Sequence, residues 1–352
     1  MMRSSFGHFG NFWIAGSWLL MAGCSASLPP PYNPPPTPAN MVLLPRAFNN
    51  GLDEGMYYTA VWSKSGIFAT NPPRQYNIDS SFKITTDSVL PLPLPFMPGL
   101  GVIAMRIDPE AKHLLCILTP WPDVSLGRLE EVSLSNLTTT LLLSDTNISS
   151  AVYLSDDSII YYTYGSITDS NHNRSDAGYY LFIKSTGQKQ LLLHHLSNLG
   201  PGEVLNGFDI SPDHSKIIVP SVGWNRAPIV FEFNLKTHEQ DTLPIPFNTS
   251  NDRWCLYLRY NHDGSKILYS SYPIQAIEGV PNDGSEVGII DRATLQKHVL
   301  NTNPYPDAST VICLFPDWSP DERSIVYGSA VVVSEPAGQV SGYQATILKT
   351  LN

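Results

Sequence analysis

Three charged residues stand at one offset in three copies of a short pattern: Asp209, Arg259 and Asp317 each precede an anchor (Ile210, Tyr260, Trp318) that leads into a turn. The same offset in three fainter copies picks out Val61, Arg106 and Tyr153, ahead of Trp62, Ile107 and Leu154. If the six strands carrying these residues ring a common axis, Asp209, Arg259 and Asp317 are consecutive and alternate in sign. Such a ring is either a salt-bridged lining or a polar seat, and alternating charge suits a zwitterionic or mixed-charge guest. Arg106, Tyr153, Asp209, Arg259 and Asp317 form the candidate axial ligand seat. None of them can be named as a catalytic acid.

Other chemistry is thinly supplied. No Gly-x-Ser-x-Gly elbow occurs, which excludes a peptidase of the α/β-hydrolase kind. The nine histidines do not cluster: His194 and His195 are adjacent and so face opposite sides of a strand, and no His-x-His or His-Glu-x-x-His is present. Asp169-Ser-Asn171-His-Asn173 imitates the first three ligand positions of a calcium loop, but Arg174 takes the glycine position and Tyr180 the place of the bidentate Glu. It reads as a polar hairpin loop. No metal and no cofactor are expected.

These residues need elements to position them, and the elements repeat. Phe315-Pro-Asp-Trp-Ser-Pro-Asp-Glu-Arg-Ser-Ile-Val-Tyr327, Gly207-Phe-Asp-Ile-Ser-Pro-Asp-His-Ser-Lys-Ile-Ile-Val219 and Tyr257-Leu-Arg-Tyr-Asn-His-Asp-Gly-Ser-Lys-Ile-Leu-Tyr269 align without a gap. Fainter copies run from Val61, Met105 and Tyr153, making six. Each is a strand, a turn rich in residues that fix φ or tolerate φ > 0, and an alternating apolar strand. Third and fourth strands follow, as in Ile229-Val-Phe-Glu-Phe-Asn-Leu235 and Val287-Gly-Ile-Ile-Asp291.

The copies resemble the WD40-like repeat of the TolB family, in which WSPDG precedes an apolar strand and a later apolar-Asp strand. The resemblance covers about residues 41–352 and implies an all-β, six-bladed β-propeller of four-stranded antiparallel blades. Gln344-Ala-Thr-Ile-Leu-Lys349 falls where a third strand belongs, so Met41-Val-Leu-Leu-Pro-Arg46 is expected to complete the last blade and close the ring. Insertions around 166–177, 272–286 and 330–342 fall between second and third strands and should crowd one face. The second is apolar for a loop, and Tyr272, Ile274, Ile277 and Val280 form the candidate interface loop. Cys255 and Cys313 share a rung of adjacent innermost strands, a separation a disulfide rarely bridges. With Cys116 they are expected to be buried free thiols.

Residues 1–23 read as a signal peptide: Arg3, an apolar stretch from Phe12 to Met21, then small residues. That stretch is too short to span a bilayer, which takes about 20 residues. Met21-Ala22-Gly23-Cys24 resembles the bacterial lipobox, with Met21 where Leu is preferred, and implies lipidation of Cys24. The Ser after the Cys implies outer-membrane sorting. Residues 24–40 follow as a tether with seven prolines. Polyproline geometry lets it reach about 50 Å at about 3.1 Å per residue.

The chain is 42% hydrophobic and 15% charged, enough to bury a large core. Its net charge of −10 carries no basic stripe, so nucleic acid is not expected as a partner. The expected function is an envelope-anchored, non-enzymatic binding scaffold, monomeric and touching the membrane only through its lipid. It would recognise an envelope protein or cell-wall-associated ligand through one propeller face. The alternatives are a propeller lyase or hydrolase acting on envelope or imported glycans, and a structural surface spacer. A lyase of that kind would need metal-binding His near the axis, and the alignment places none on the inner rung.

Overall fold

A computed structural model of the chain describes residues 40–44, 60–69, 74–79, 81, 83–89, 100–120, 127–144, 147–163, 166–167, 174–194, 207–221, 229–245, 253–273, 286–300, 310–333 and 339–349. The signal segment, Cys24 and nearly all of the tether lie outside the described residues. Every regular element described is a β-strand.

Of the 26 described strands, 24 form six four-stranded antiparallel blades of a β-propeller, and Ser166–Ile167 and Arg174–Ser175 pair as a two-stranded ribbon. Blade 1 runs through Ala60–Ser63, Gly66–Ala69, Arg74–Ile78 and Ile84–Val89, and blade 2 through Leu100–Ile107, His113–Pro120, Arg128–Ser133 and Thr139–Leu143. Blade 3 comprises Ile148–Ser155, Ser158–Thr163, Gly178–Ile183 and Gln188–His194; blade 4 comprises Asp209–Ile210, Lys216–Ser221, Ile229–Asn234 and Gln240–Leu243. Blade 5 is Arg253–Tyr260, Lys266–Pro273, Glu286–Asp291 and Lys297–Leu300. Blade 6 takes Thr310–Trp318, Ser324–Val333 and Gln339–Lys349 from the end of the chain and Met41–Leu43 from its beginning. Met41 pairs with Leu348 and Leu43 with Thr346, so the expected closure is present. The first strands of successive blades touch one another around the ring.

A blade is covered on both faces, so its inner strands read as continuous apolar runs rather than alternating ones. Leu114 to Leu118 are all buried, and so are Ser158 to Thr163. Neighbouring residues serve different interfaces: Ile217 and Val219 pack with blade 3, Ile218 with blade 5. The buried apolar residues fall into six clusters, one at each blade–blade contact. The last contact holds Leu44, Ala60, Ile67, Tyr76, Val326 and Ile347, which joins the two ends of the chain across blades 6 and 1.

One turn geometry explains the repeated motif. In blades 2, 4, 5 and 6 the N–H of Asp108, Ser211, Asn261 or Ser319 donates to the carbonyl of His113, Lys216, Lys266 or Ser324. The fourth turn residue then takes a left-handed conformation: Ala111 (φ 57°), His214 (57°), Gly264 (74°) and Glu322 (57°). Only Gly264 does so without steric penalty. The Asp of Ser-Pro-Asp closes the turn with its side chain: Asp213 Oδ1 accepts from Ser211 Oγ at 2.6 Å and from the N–H of Ser215 at 3.1 Å. Asp321 does the same with Ser319 Oγ at 2.6 Å and the N–H of Arg323 at 3.1 Å.

Two details differ from expectation. Blade 3 turns with one residue fewer, since Tyr153 pairs with Ile159 whereas Tyr260 pairs with Ile267. Tyr153, not Leu154, is therefore the blade 3 anchor, and Val152 takes the position one rung before it. The segment 330–342 is also largely strand rather than inserted loop, because pairing continues out to Val333 with Gln339.

The closure and the turn each give a test. Leu44 is fully buried, so Leu44→Ala should lower unfolding stability by about 2–5 kcal/mol. A urea midpoint unchanged from wild type would show that the N-terminal strand adds nothing to closure. Gly264→Ala should destabilise by about 1–2 kcal/mol, since its Cβ would also stand 3.3 Å from Pro212 Cδ; equal midpoints would refute the turn strain.

Candidate functional site

Among the described residues the innermost strands of neighbouring blades share one isolated bridge, Gly207 with Tyr257, where the N–H of Leu258 donates to the Gly207 carbonyl at 2.8 Å; elsewhere polar side chains satisfy backbone groups of these strands. Asp209 and Asp317 do this for the next blade around the ring. Asp209 Oδ2 accepts the N–H of Tyr260 at 2.9 Å, and Asp317 Oδ2 accepts the N–H of Trp62 at 3.0 Å. Arg259 lies between the two carboxylates, its Nη1 3.5 Å from Asp209 Oδ1 and its Nε 3.5 Å from Asp317 Oδ1. Trp318 Nε1 adds a long 3.5 Å contact to the carbonyl of Arg259. The alternating charges on blades 4, 5 and 6 are thus brought together as inter-blade fasteners. Burial pushes the Asp209 carboxyl up, with Arg259, Arg106 and the Tyr260 N–H pulling against it.

Arg106 occupies the matching position on blade 2 and is 8% exposed. Its Nη1 donates to the carbonyl of its own neighbour Met105 at 2.9 Å, while its buried Nε has no hydrogen-bond partner. Burial lowers its affinity for its proton, the charge of Arg259 adds to this, and Asp209 and Asp317 act in the opposite sense. A guanidinium keeps its charge under such pressure, so the axis holds a buried cation.

Tyr153 faces away from these four. Its side chain packs with Leu115, Ile117 and Leu129 of blade 2, and its hydroxyl donates to Glu131 Oε1 at 3.1 Å. Lys184 Nζ reaches the same oxygen at 2.7 Å. The arrangement recurs between blades 4 and 5. Glu232 accepts from Tyr260 Oη at 2.8 Å, from Lys216 Nζ at 2.8 Å, and from Arg292 through Nε at 2.6 Å and Nη2 at 2.8 Å. Sequence reasoning missed both clusters. A signal was present: Glu131 and Glu232 are acidic residues within third strands, and Lys184 and Arg292 directly follow the third strand of the next blade.

Several sequence candidates have less structure around them. Tyr272 pairs with Trp254 in the second strand of blade 5, while Ile274, Ile277 and Val280 lie outside the described residues, as does Asp169–Asn173. Cys255 pairs with Ser271 and Cys313 with Ser329, each on an innermost strand. Cys116 is a buried free cysteine whose thiol is pushed up by burial, with a further push from Glu130.

Glu232 links this network to pH. Burial alone would raise its pKa, but the hydrogen bonds from Arg292, Lys216 and Tyr260 outweigh it and hold the carboxyl at about 2. A carboxyl held below its unfolded value contributes stability that is complete above about pH 4.5 and lost as pH falls toward about 2. The contribution is on the order of 3 kcal/mol. Denaturant midpoints of the wild type should fall as pH is lowered through this window, while Glu232→Gln should start less stable and respond less. An unchanged slope in the variant would remove Glu232 as the source.

No family model matches the sequence, and no curated protein matches it. Solved structures do resemble the fold. TolB from Acinetobacter baumannii is 14% identical with a TM-score of 0.46, over 82% of this chain and 62% of that one. The chain therefore spans about 62% of the length of that relative. An oligogalacturonate lyase in complex with manganese is 15% identical with a TM-score of 0.48, over 85% of this chain and 79% of that one. The nidogen/laminin complex is 9% identical with a TM-score of 0.50, over 81% of this chain and 92% of that one, and at this identity the likeness is one of fold.

Proposed function

We propose that the chain is an envelope-anchored, non-enzymatic scaffold that holds a protein or cell-wall-linked partner against one face of its propeller. The observation that carries this reading is how the connections sort. The described first-to-second and third-to-fourth connections are short hydrogen-bonded turns at one end of the blades. Second-to-third and fourth-to-first connections leave from the opposite end and hold the added length, as in 44–59, 164–177, 195–208 and 274–285. A rigid ring that gathers its longest connections on one rim is suited to recognition there. Tyr272, Ile274, Ile277 and Val280 add apolar and aromatic content of the kind interfaces bury at their centres.

The axial charges fit this reading as fasteners, since Asp209 and Asp317 are engaged by backbone N–H groups of the next blade. The lipobox-like Met21-Ala22-Gly23-Cys24 and the proline-rich segment after it support membrane tethering.

Cross-linking capture from envelope extracts tests the face. The full chain should retain a specific partner that is lost when 274–285 is replaced by a short Gly-Ser linker, with Cys24→Ala moving the chain out of the membrane fraction. Capture indifferent to replacement of both 164–177 and 274–285 would overturn the recognition face. A Cys24→Ala chain that stays in the membrane fraction would overturn the anchor.

A further inference from the structure

The four axial charges are not equivalent. Arg259 has a carboxylate on each side, Asp209 on blade 4 and Asp317 on blade 6. Arg106 has none, because the matching positions on the blades beside it are Val61 and Val152, both buried. Among the described residues, its five N–H donors are met only at the carbonyl of Met105, and the Nε is buried without a partner. An unsatisfied buried donor on a charged group is expensive, and burial without an acceptor is rarely retained without a use. The Asp side chains keep 18% of their surface exposed against 8% for Arg259.

We propose that Arg106 is the receiving residue of an axial seat for a carboxylate ligand. The planar guanidinium offers parallel N–H groups that match a carboxylate in two-point contact. Val61 and Val152, apolar at the matching positions, supply no acceptor there. Asp209 and Asp317 each accept a backbone N–H of the next blade and flank Arg259, so what Arg106 offers a carboxylate is N–H donors that no acceptor among the described residues takes. The negative side of the axis favours a ligand that carries its carboxylate toward Arg106 and any positive group toward the two Asp side chains. This goes beyond the face-binding reading, since the seat would fill whether or not a partner occupies the rim.

Acetate is the probe. At matched ionic strength, replacing chloride by acetate should raise the Tm of the full chain in a saturable way, by about 2–4 °C at ten times the dissociation constant. Arg106→Met should fold, with the unpaired buried charge removed, and should lose the acetate-dependent shift. Saturation-transfer NMR on the acetate methyl group provides a second readout that does not depend on that variant. It should give a signal with the wild type that falls several-fold in Arg106→Lys, which keeps the charge but not the planar fork. No shift and no transfer in the wild type, or an equal shift in Arg106→Met, would overturn the proposal. Chains with replaced rim connections keep all four axial charges, so acetate binding that survives a loss of partner capture separates the two readings.

Discussion

Every blade must bury both of its faces, and everything else in the molecule follows from that. A four-stranded sheet with apolar residues on both sides has no stable existence alone, and a row of such sheets leaves two faces bare at its ends. Bending the row into a ring removes both. The six apolar clusters are the result, each built from residues that alternate along single strands between the neighbour behind and the neighbour ahead. The sixth contact is unlike the rest because it joins residues from opposite ends of the chain.

The ring solves the problem of faces and creates one of edges. The innermost strands turn an edge of their backbone toward the axis, bridged between blades 4 and 5 only by Gly207 and Tyr257 among the described residues, and apolar side chains cannot help there. Asp209 and Asp317 answer this by reaching one blade forward to a backbone N–H, with Arg259 between the two carboxylates and Arg106 adding a second positive charge to the group. Further from the axis the same interfaces contain Glu131 and Glu232, each surrounded by a Tyr and cations from the next blade. Polar groups at two depths therefore set the angular register of one blade against another, a task that non-directional apolar packing performs poorly.

Much of this was legible in the sequence because the turn chemistry is local. Ser-Pro-Asp and Asn-His-Asp-Gly fix their turns through contacts within a few residues, so blades 4, 5 and 6 aligned correctly and Asp209, Arg259 and Asp317 fell on one rung. Blade 3 did not, since its turn lacks one residue, and in a strand a slip of one position exchanges the two faces. That is why Tyr153 was grouped with the axis when its hydroxyl serves Glu131. The Tyr–Glu–cation clusters were hidden for a different reason: their members come from two blades and are separated by connections of unequal length. At 330–333 and 339–343 the two strands simply run on past the length of the other blades, which spacing between repeats cannot distinguish from an inserted loop.

The closure strand also makes the ring a mechanical object. Whatever pulls on the residues before Asn40 transmits its load into Met41–Leu43, three rungs of backbone pairing backed by the buried side chains of Met41 and Leu44. The five other blades are each continuous in sequence and are loaded only through their neighbours. Tension along the chain's beginning would thus be borne first at a single short seam, and the force at which that seam parts sets the force at which the whole ring opens.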